Sequence, residues 1–235
     1  MPRFSSFNAF GSESIETNQS HIPVWLGFPG AIPVGGTLDK AYAKPGFLLG
    51  AGAPVNITDK IITPFIGWEV VSFAAATGSA TVDTIVIKPA VLGDAVIVPA
   101  VDDMIQKVGS TFAATGKAAA VASISEIAEG ENIGCYTVTV LHSATVDSLN
   151  GGDVIAISSA VSAGSSKSLK VQPNGYLYND IYFGALDGTA ANYDIAATGA
   201  VVEYHPEGLI VELTPAAAVK EQMKAAVPGV YQVRV

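Results

Sequence analysis

Residues 70–165 form a succession of short β-type runs, and nothing else in the chain restricts its fold as strongly. Residues 81–88 combine β-branched side chains with alternation, and residues 95–99 follow a Gly93-Asp94 turn. Residues 118–127 alternate small, apolar and polar side chains. A turn at residues 129–132 then leads into residues 135–141, so these two runs read as a hairpin. A second Gly-Asp pair, Gly152-Asp153, precedes the β-branched run that starts at Val154. In both turns the Asp carboxylate can bond its own backbone while Gly supplies the unusual dihedral, an arrangement common in small antiparallel barrels. The echo is too short to define a repeat. Residues 101–108 read as one or two helical turns.

The flanks are also β-rich. Residues 44–55 read as a strand, a Gly-rich turn and a second strand start. Residues 175–183 alternate with aromatics, and residues 199–204 and 208–213 are short strands around residues 205–207. One helix is expected, with Thr214 as N-cap, Pro215 in the first turn, residues 216–226 as good formers and a stop at residues 227–229. Ala217, Val219 and Met223 form its inward stripe, with Lys220 and Lys224 on the other side. Residues 230–235 close the chain as a strand. These runs predict a mainly β fold with a discontinuous base, a small β-barrel or sandwich built from residues 44–69 and 166–235. A second β module, residues 70–165, is inserted into it, and residues 164–168 serve as the return linker.

Residues 1–43 keep neither helical nor strand period. They are rich in Ser, Asn, Pro and Gly, yet they hold Phe4, Phe7, Phe10, Trp25, Leu26 and Phe28, which a polar linker would lack. Two readings stand side by side: a loop packed on its own domain, and an extended N-terminal arm packed on a neighbouring subunit.

Charge narrows the function classes. Only 14% of the 235 residues are charged, with 12 Lys and Arg against 21 Asp and Glu, for a net charge of −9. Scattered basic residues argue against binding nucleic acid or an acidic membrane surface. The middle segment, residues 61–160, carries most of the acidity, with 3 Lys against 10 Asp or Glu. That suits a solvent-facing module between less charged flanks. The single cysteine, Cys135, excludes an internal disulfide and a cysteine-only zinc site. The N-terminus shows no apolar signal segment, and the longest uncharged apolar-looking stretch, residues 20–38, is broken by Pro23, Pro29 and Pro33, so no membrane span is expected.

No catalytic constellation emerges. His21, His142 and His205 have no His or Glu at metal-ligand spacing. Asp102, Asp103, Glu126, Glu129 and Glu131 lack EF-hand spacing and read as solvated carboxylates. Cys135 lies in a β run and reads as a buried, inert thiol. The Gly50-Ala51-Gly52 turn lacks the rest of a phosphate loop. No enzyme, cofactor or metal is expected.

The Gly-x-Gly-x-Pro-Val turn at residues 50–55 resembles a segment of the tailed-phage head decoration and head fibre proteins, an auxiliary capsid family. Residues 175–181, 200–204 and 207–213, followed by the short Ala-rich helix, are similar to the capsid-attaching base of such proteins. The resemblance covers about residues 45–60 and 170–235. It implies a virion protein assembled in the host cytoplasm and placed on the outer face of an icosahedral head. It also implies a homotrimer that binds the major capsid protein, stabilises the lattice and displays the inserted module. Low charge suits such contacts. The candidate partner-binding residues are Phe4, Phe7, Phe10, Trp25, Phe28, Phe47, Tyr176 and Tyr178. The alternative function is a free-standing adhesin that binds a host-surface glycan through residues 70–165.

Overall fold

The computed structural model describes residues 36–42, 47–77, 82–93, 95–141, 149–177, 181–182, 198–199, 201–202, 208–211, 219–228 and 230–233. The first elements are β1 (Gly36–Leu38), a 3-10 turn at Lys40–Tyr42, β2 (Leu48–Leu49), β3 (Pro54–Thr58) and β4 (Ile61–Pro64). Next come β5 (Gly67–Ala74), β6 (Val82–Ile87), β7 (Ala90–Leu92), β8 (Ala95–Ile97), β9 (Met104–Lys107), β10 (Gly116–Lys117) and β11 (Ala119–Glu126). They are followed by β12 (Tyr136–Leu141), β13 (Val154–Ile157), β14 (Ser166–Lys167), β15 (Gly175–Leu177), β16 (Ile181–Tyr182), β17 (Thr198–Gly199) and β18 (Val201–Val202). The last elements are β19 (Gly208–Val211), helix α1 (Lys220–Ala226) and β20 (Val230–Val233).

Six strands close a barrel in the order β11-β12-β6-β5-β13-β9, and every neighbouring pair is antiparallel. Closure depends on the two eight-residue strands, β5 and β11. Each pairs with one neighbour along its first residues and with another along the rest, changing partner at a bulge. The bulges lie between Val70 and Ser72 and between Val121 and Ser123. An extra residue in one strand bends it and increases its twist, which lets one strand serve both walls of a barrel. Alternation then points Val70, Ile85, Ile87, Val121, Val138, Val140 and Ile155 inward, and all are fully buried.

The two bent strands reveal an internal duplication. The barrel strands of residues 67–107 and 118–157 match one to one, β5 with β11, β6 with β12 and β9 with β13, and the β7–β8 hairpin has no counterpart among the described residues. The registers agree: Val70 faces Ile87 as Val121 faces Val140, and Ser72 faces Val86 as Ser123 faces Thr139. Ala119 faces Ile105 as Trp68 faces Ile155. The turn before each third strand is the same. In one half, the Ala100 N–H donates to Asp103 Oδ2 (2.7 Å), Asp102 has φ 71°, and the Val121 N–H donates to the Asp103 carbonyl (3.0 Å). In the other, the Asn150 N–H donates to Asp153 Oδ2 (2.7 Å), Gly152 has φ 88°, and the Val70 N–H donates to the Asp153 carbonyl (2.7 Å). The identical pairs Val70/Val121, Ser72/Ser123, Thr84/Thr137, Asp103/Asp153 and Ile105/Ile155 are the residue-level trace of the duplication. The Gly-Asp echo of the sequence is not this repeat: the partner of Gly152-Asp153 is Asp102-Asp103 and not the Gly93-Asp94 turn.

This arrangement overturns the helical reading of residues 101–108. They form the Asp103 turn followed by strand β9. Both faces of β9 are covered, with Ile105 in the barrel core and Gln106 buried on the other side, where its Oε1 accepts from the Ser158 hydroxyl. Two-sided burial removes the alternation that identifies a strand.

Outside the barrel, a six-stranded mixed sheet runs in the order β17-β1-β4-β3-β15-β18, drawing strands from both sides of the barrel in sequence. Its hairpin β3–β4 turns on Asp59 and Lys60, both at positive φ (52° and 65°), as a two-residue turn between right-twisted strands requires. Its core is Leu38, Phe47, Leu49, Val55, Ile62 and Leu177. The β7–β8 hairpin leaves the barrel and packs Leu92, Ala95 and Ile97 onto this core, with Gly93 bridged to Phe47. The return segment is more than a linker, since β14 pairs with β10.

The helix is shorter than the sequence predicts. It begins after Val219, which has non-helical dihedrals and no side-chain cap, and it ends at Val227. Thr214, Pro215 and Ala217 lie outside the described residues. Val219, Met223 and Val227 are buried against Val108, Phe112, Val154, Leu169 and Tyr176, so the helix wedges between barrel and base. Strands β19 and β20, on either side of it, pair in parallel, as a helical crossover requires.

If the two turns do equivalent work, Asp103→Ala and Asp153→Ala each lower stability by about 1–3 kcal/mol, the cost of losing a hydrogen bond to a charged group. A shift of the urea midpoint at constant slope reads this out. Asp153 also receives Lys107 Nζ at 2.7 Å. Burial alone raises its pKa, but the Lys107 hydrogen bond, the Asn150 amide and the Lys107 charge outweigh burial and hold it below 3.8. A depressed carboxyl pKa stabilises the fold above the unfolded value, and that stability is lost as pH falls through the folded value. The Asp153→Asn variant is therefore expected to lose less stability than the parent as pH falls below about 4, as acid titration followed by circular dichroism would show.

Candidate functional site

The candidate partner-binding aromatics divide into two groups. Phe4, Phe7, Phe10, Trp25, Phe28 and Tyr178 lie outside the described residues. Phe47 and Tyr176 are core residues, with relative exposures of 1% and 0%. Phe47 is covered by the β7–β8 hairpin and Tyr176 by helix α1. The structure thus places these two in the interior, where they pack within the chain's own core. His21, His142 and His205 are likewise outside the described residues.

Asp103 is committed to its turn, and Glu126, Glu129 and Glu131 are exposed. Among the described residues no cluster of three His, Cys, Asp or Glu side chains could hold a metal ion. Cys135 is half-exposed in the loop before β12, not buried within a strand. No described helix is long and apolar enough to cross a membrane.

The feature with the geometry of a site is a groove where barrel and base meet. Its deeper part is a cavity of about 180 Å³ with a floor of Pro64, Phe65, Trp68, Ile97 and Ile157. Tyr42, Asp103 and Lys170 add polar groups to its lining. Lys170 and Val171 also line a second recess of about 270 Å³, shared with Asn56, Thr63 and Gln172, so the two parts adjoin.

Local structure fixes each wall. The 3-10 turn after β1 carries Tyr42, and Asp39 steadies that turn by accepting the Ala41 N–H at 3.0 Å. Burial, assisted by the Asp39 charge, pushes the Tyr42 hydroxyl pKa above 10.0, so it remains a neutral donor. Phe65 sits in the crossing from base to barrel and meets Phe112 edge to face, at 5.1 Å between centroids and 60° between planes. The Trp68 indole N–H donates to the Ile97 carbonyl (2.9 Å), tying β5 to the end of β8. The backbone N–H of Lys170 donates to the Ile157 carbonyl (2.9 Å) and holds the return strand against the barrel. Gly67 is required at the crossing, because a Cβ there would lie 2.7 Å from Val154 Cγ1.

The duplication gives the groove its charge pattern. In one half, the turn carboxylate Asp153 is neutralised by Lys107. The residue equivalent to Lys107 in the other half is Ile157, so Asp103 has no such partner on its own strands. Asp103 lines the cavity together with Lys170, and the two form no ion pair. The side-chain polar groups of Lys170, Thr63 and Tyr42 make no hydrogen bond or ion pair among the described residues. Sequence reasoning missed the groove because its walls come from six separate segments. The Gly-Asp echo did not help, because its first member, Gly93-Asp94, is not the turn that carries Asp103.

Large cavity costs are the expected outcome for the two reassigned aromatics. Phe47→Ala and Tyr176→Ala should each destabilise the chain by about 3–5 kcal/mol in denaturant unfolding, and a surface-contact residue would cost far less. No protein-family model matches this chain, and neither a curated protein nor a solved structure is significantly similar to it.

Proposed function

We propose that the chain is a structural protein of a phage virion that decorates the outer surface of an icosahedral head. In this reading it binds the major capsid protein and acts as a homotrimer. The observation that carries the proposal is the way the barrel is mounted. Its strands lie between β4 and β15, two strands of the base sheet that both pair with β3, so the barrel leaves from and returns to neighbouring points of one support. A module held at both ends is suited to display. Low charge supports the same reading, since large protein contacts are depleted in charged residues. Residues 1–43, with their aromatics, are the proposed clamp on adjacent capsid subunits. Three copies binding a symmetric lattice gain avidity that a single copy lacks.

The experiment is a sedimentation gradient of native particles from the source, with the chain followed by mass spectrometry. Co-migration with intact heads at a fixed ratio to the shell protein is expected. Recovery only at the top of the gradient would refute the reading. Deletion of residues 1–40 is expected to weaken particle binding at least roughly tenfold, and unchanged occupancy would remove the clamping role of the arm.

A further inference from the structure

We propose that the groove between barrel and base binds a short acidic saccharide, of one or two sugar units, with Lys170 as its charge-recognising residue. The proposal stands apart from the capsid reading, because it depends on the groove alone.

Three observations converge on this ligand class. The first is size. A cavity of about 180 Å³ adjoins a recess of about 270 Å³. Engineered cavities of roughly 150 Å³ admit a six-membered ring such as benzene, so each part takes one ring. The second is the division of chemistry. The deeper part offers apolar and aromatic wall from Phe65, Trp68 and Ile157. The shallower part offers the Thr63 hydroxyl, the second amide hydrogen of Asn56 and the Oε1 of Gln172, whose Nε2 already donates to Ser168 Oγ (3.2 Å) and the Leu169 carbonyl (3.4 Å). A sugar ring presents a C–H face and a hydroxyl rim, and an apolar pocket with a few placed polar groups recognises that pattern. A purely apolar ligand would leave the polar recess unused.

The third observation is the state of the polar groups. Lys170 belongs to both parts and has no ion-pair partner among the described residues, although the chain carries a net charge of −9. An unpaired ammonium between two ring-sized recesses matches a carboxylate on the saccharide, and the resulting charge-assisted hydrogen bond is about twice as strong as a neutral one. Asp103 is held in place by the Ala100 amide. It accepts hydroxyl hydrogens in the deeper part, as Tyr42 donates there. Asn56 is already oriented, since its side-chain amide donates to the Gln172 carbonyl at 2.7 Å and its Oδ1 accepts from the Thr58 hydroxyl at 2.8 Å. A site arranged before the ligand arrives avoids part of the ordering cost of binding.

The location differs from that expected of an adhesive inserted module. The barrel supplies Trp68, Asp103 and Ile157, but the base and the return strand supply Tyr42, Thr63 and Lys170. Neither part alone makes the site.

The test is titration calorimetry of the full chain with two probes, a uronic-acid-containing disaccharide and a neutral hexose disaccharide. The acidic probe is expected to bind saturably and more tightly than the neutral one. Lys170→Ala, at an exposed position where folding is preserved, is expected to weaken the acidic probe by at least roughly tenfold and to leave the neutral one nearly unchanged. Lys224→Ala, on helix α1 and away from the groove, is expected to change neither. Absence of saturable binding by either probe at about 20 mM, weaker than any functional saccharide contact would require, overturns the proposal. Binding that Lys170→Ala leaves intact overturns it as well. Particle co-sedimentation of the Lys170→Ala variant is a separate readout, so failure of this site and failure of the capsid reading are told apart.

Discussion

Two turn carboxylates and the two bulged strands beside them set the geometry of the whole molecule. Asp103 and Asp153 each fold a four-residue turn onto itself, and each turn backbone also receives the amide of the residue at the start of a bulge. Without the bulges, β5 and β11 would stay in one wall and the barrel would remain two open sheets with exposed edges. Barrel closure, in turn, fixes where the crossing at Phe65, the β7–β8 hairpin and the return strand emerge. Those three segments are what the base packs against. The interior of the barrel is apolar except for Asp83, which is fully buried on the face of β6 shared by Ile85 and Ile87 and accepts the Ala76 amide at 2.7 Å, while further specificity lies in a few backbone and carboxylate hydrogen bonds at the ends of the bent strands.

Duplication and asymmetry together account for the groove. The two halves share register, bulge and turn, and they differ in the charge that faces each turn carboxylate. Lys107 serves Asp153, and Ile157 occupies the equivalent position near Asp103. The apolar residue clears the wall of the cavity, and the ammonium that would have lain on the same strand comes instead from Lys170 on the return segment. A symmetric barrel would neutralise both carboxylates internally and present no pair of separated charges to a ligand. The same return segment ties the groove to the base, so the site and the mount of the barrel are one piece of structure.

Much of this fold is readable in the sequence, and the failures have specific physical causes. The β11–β12 hairpin was legible because one face meets the barrel core and the other meets solvent, which preserves the period of two. Strand β9 was not, because Gln106 and Ile105 are both buried, on opposite faces. The helix was placed correctly at its end, where Val227 and Pro228 stop it, but its described start falls later than the sequence predicts. Phe47 and Tyr176 show a different limit. An aromatic in a strand looks the same whether its face is covered by a partner or by the chain itself, and the covering elements here are a hairpin and a helix far away in sequence. The duplication was hidden because turns of unequal length separate the matching strands, so identical residues do not recur at a constant interval.

The placement of the C-terminal helix also bears on how the chain acquires its structure. The side chain of Gln222 donates to the Gly109 carbonyl across 113 residues, and Asn174 holds Ile57 across 117. Local pairs such as β3–β4 and β11–β12 form on the microsecond scale, whereas contacts of such long separation must first overcome loop-closure entropy. The hairpins and the two half-barrels are therefore expected to condense before the wedge of Val219, Met223 and Val227 seals the junction. Until then the apolar ends of barrel and base face water. An unsealed junction would leave apolar surface open to misassembly, and the docking of a seven-residue helix covers it.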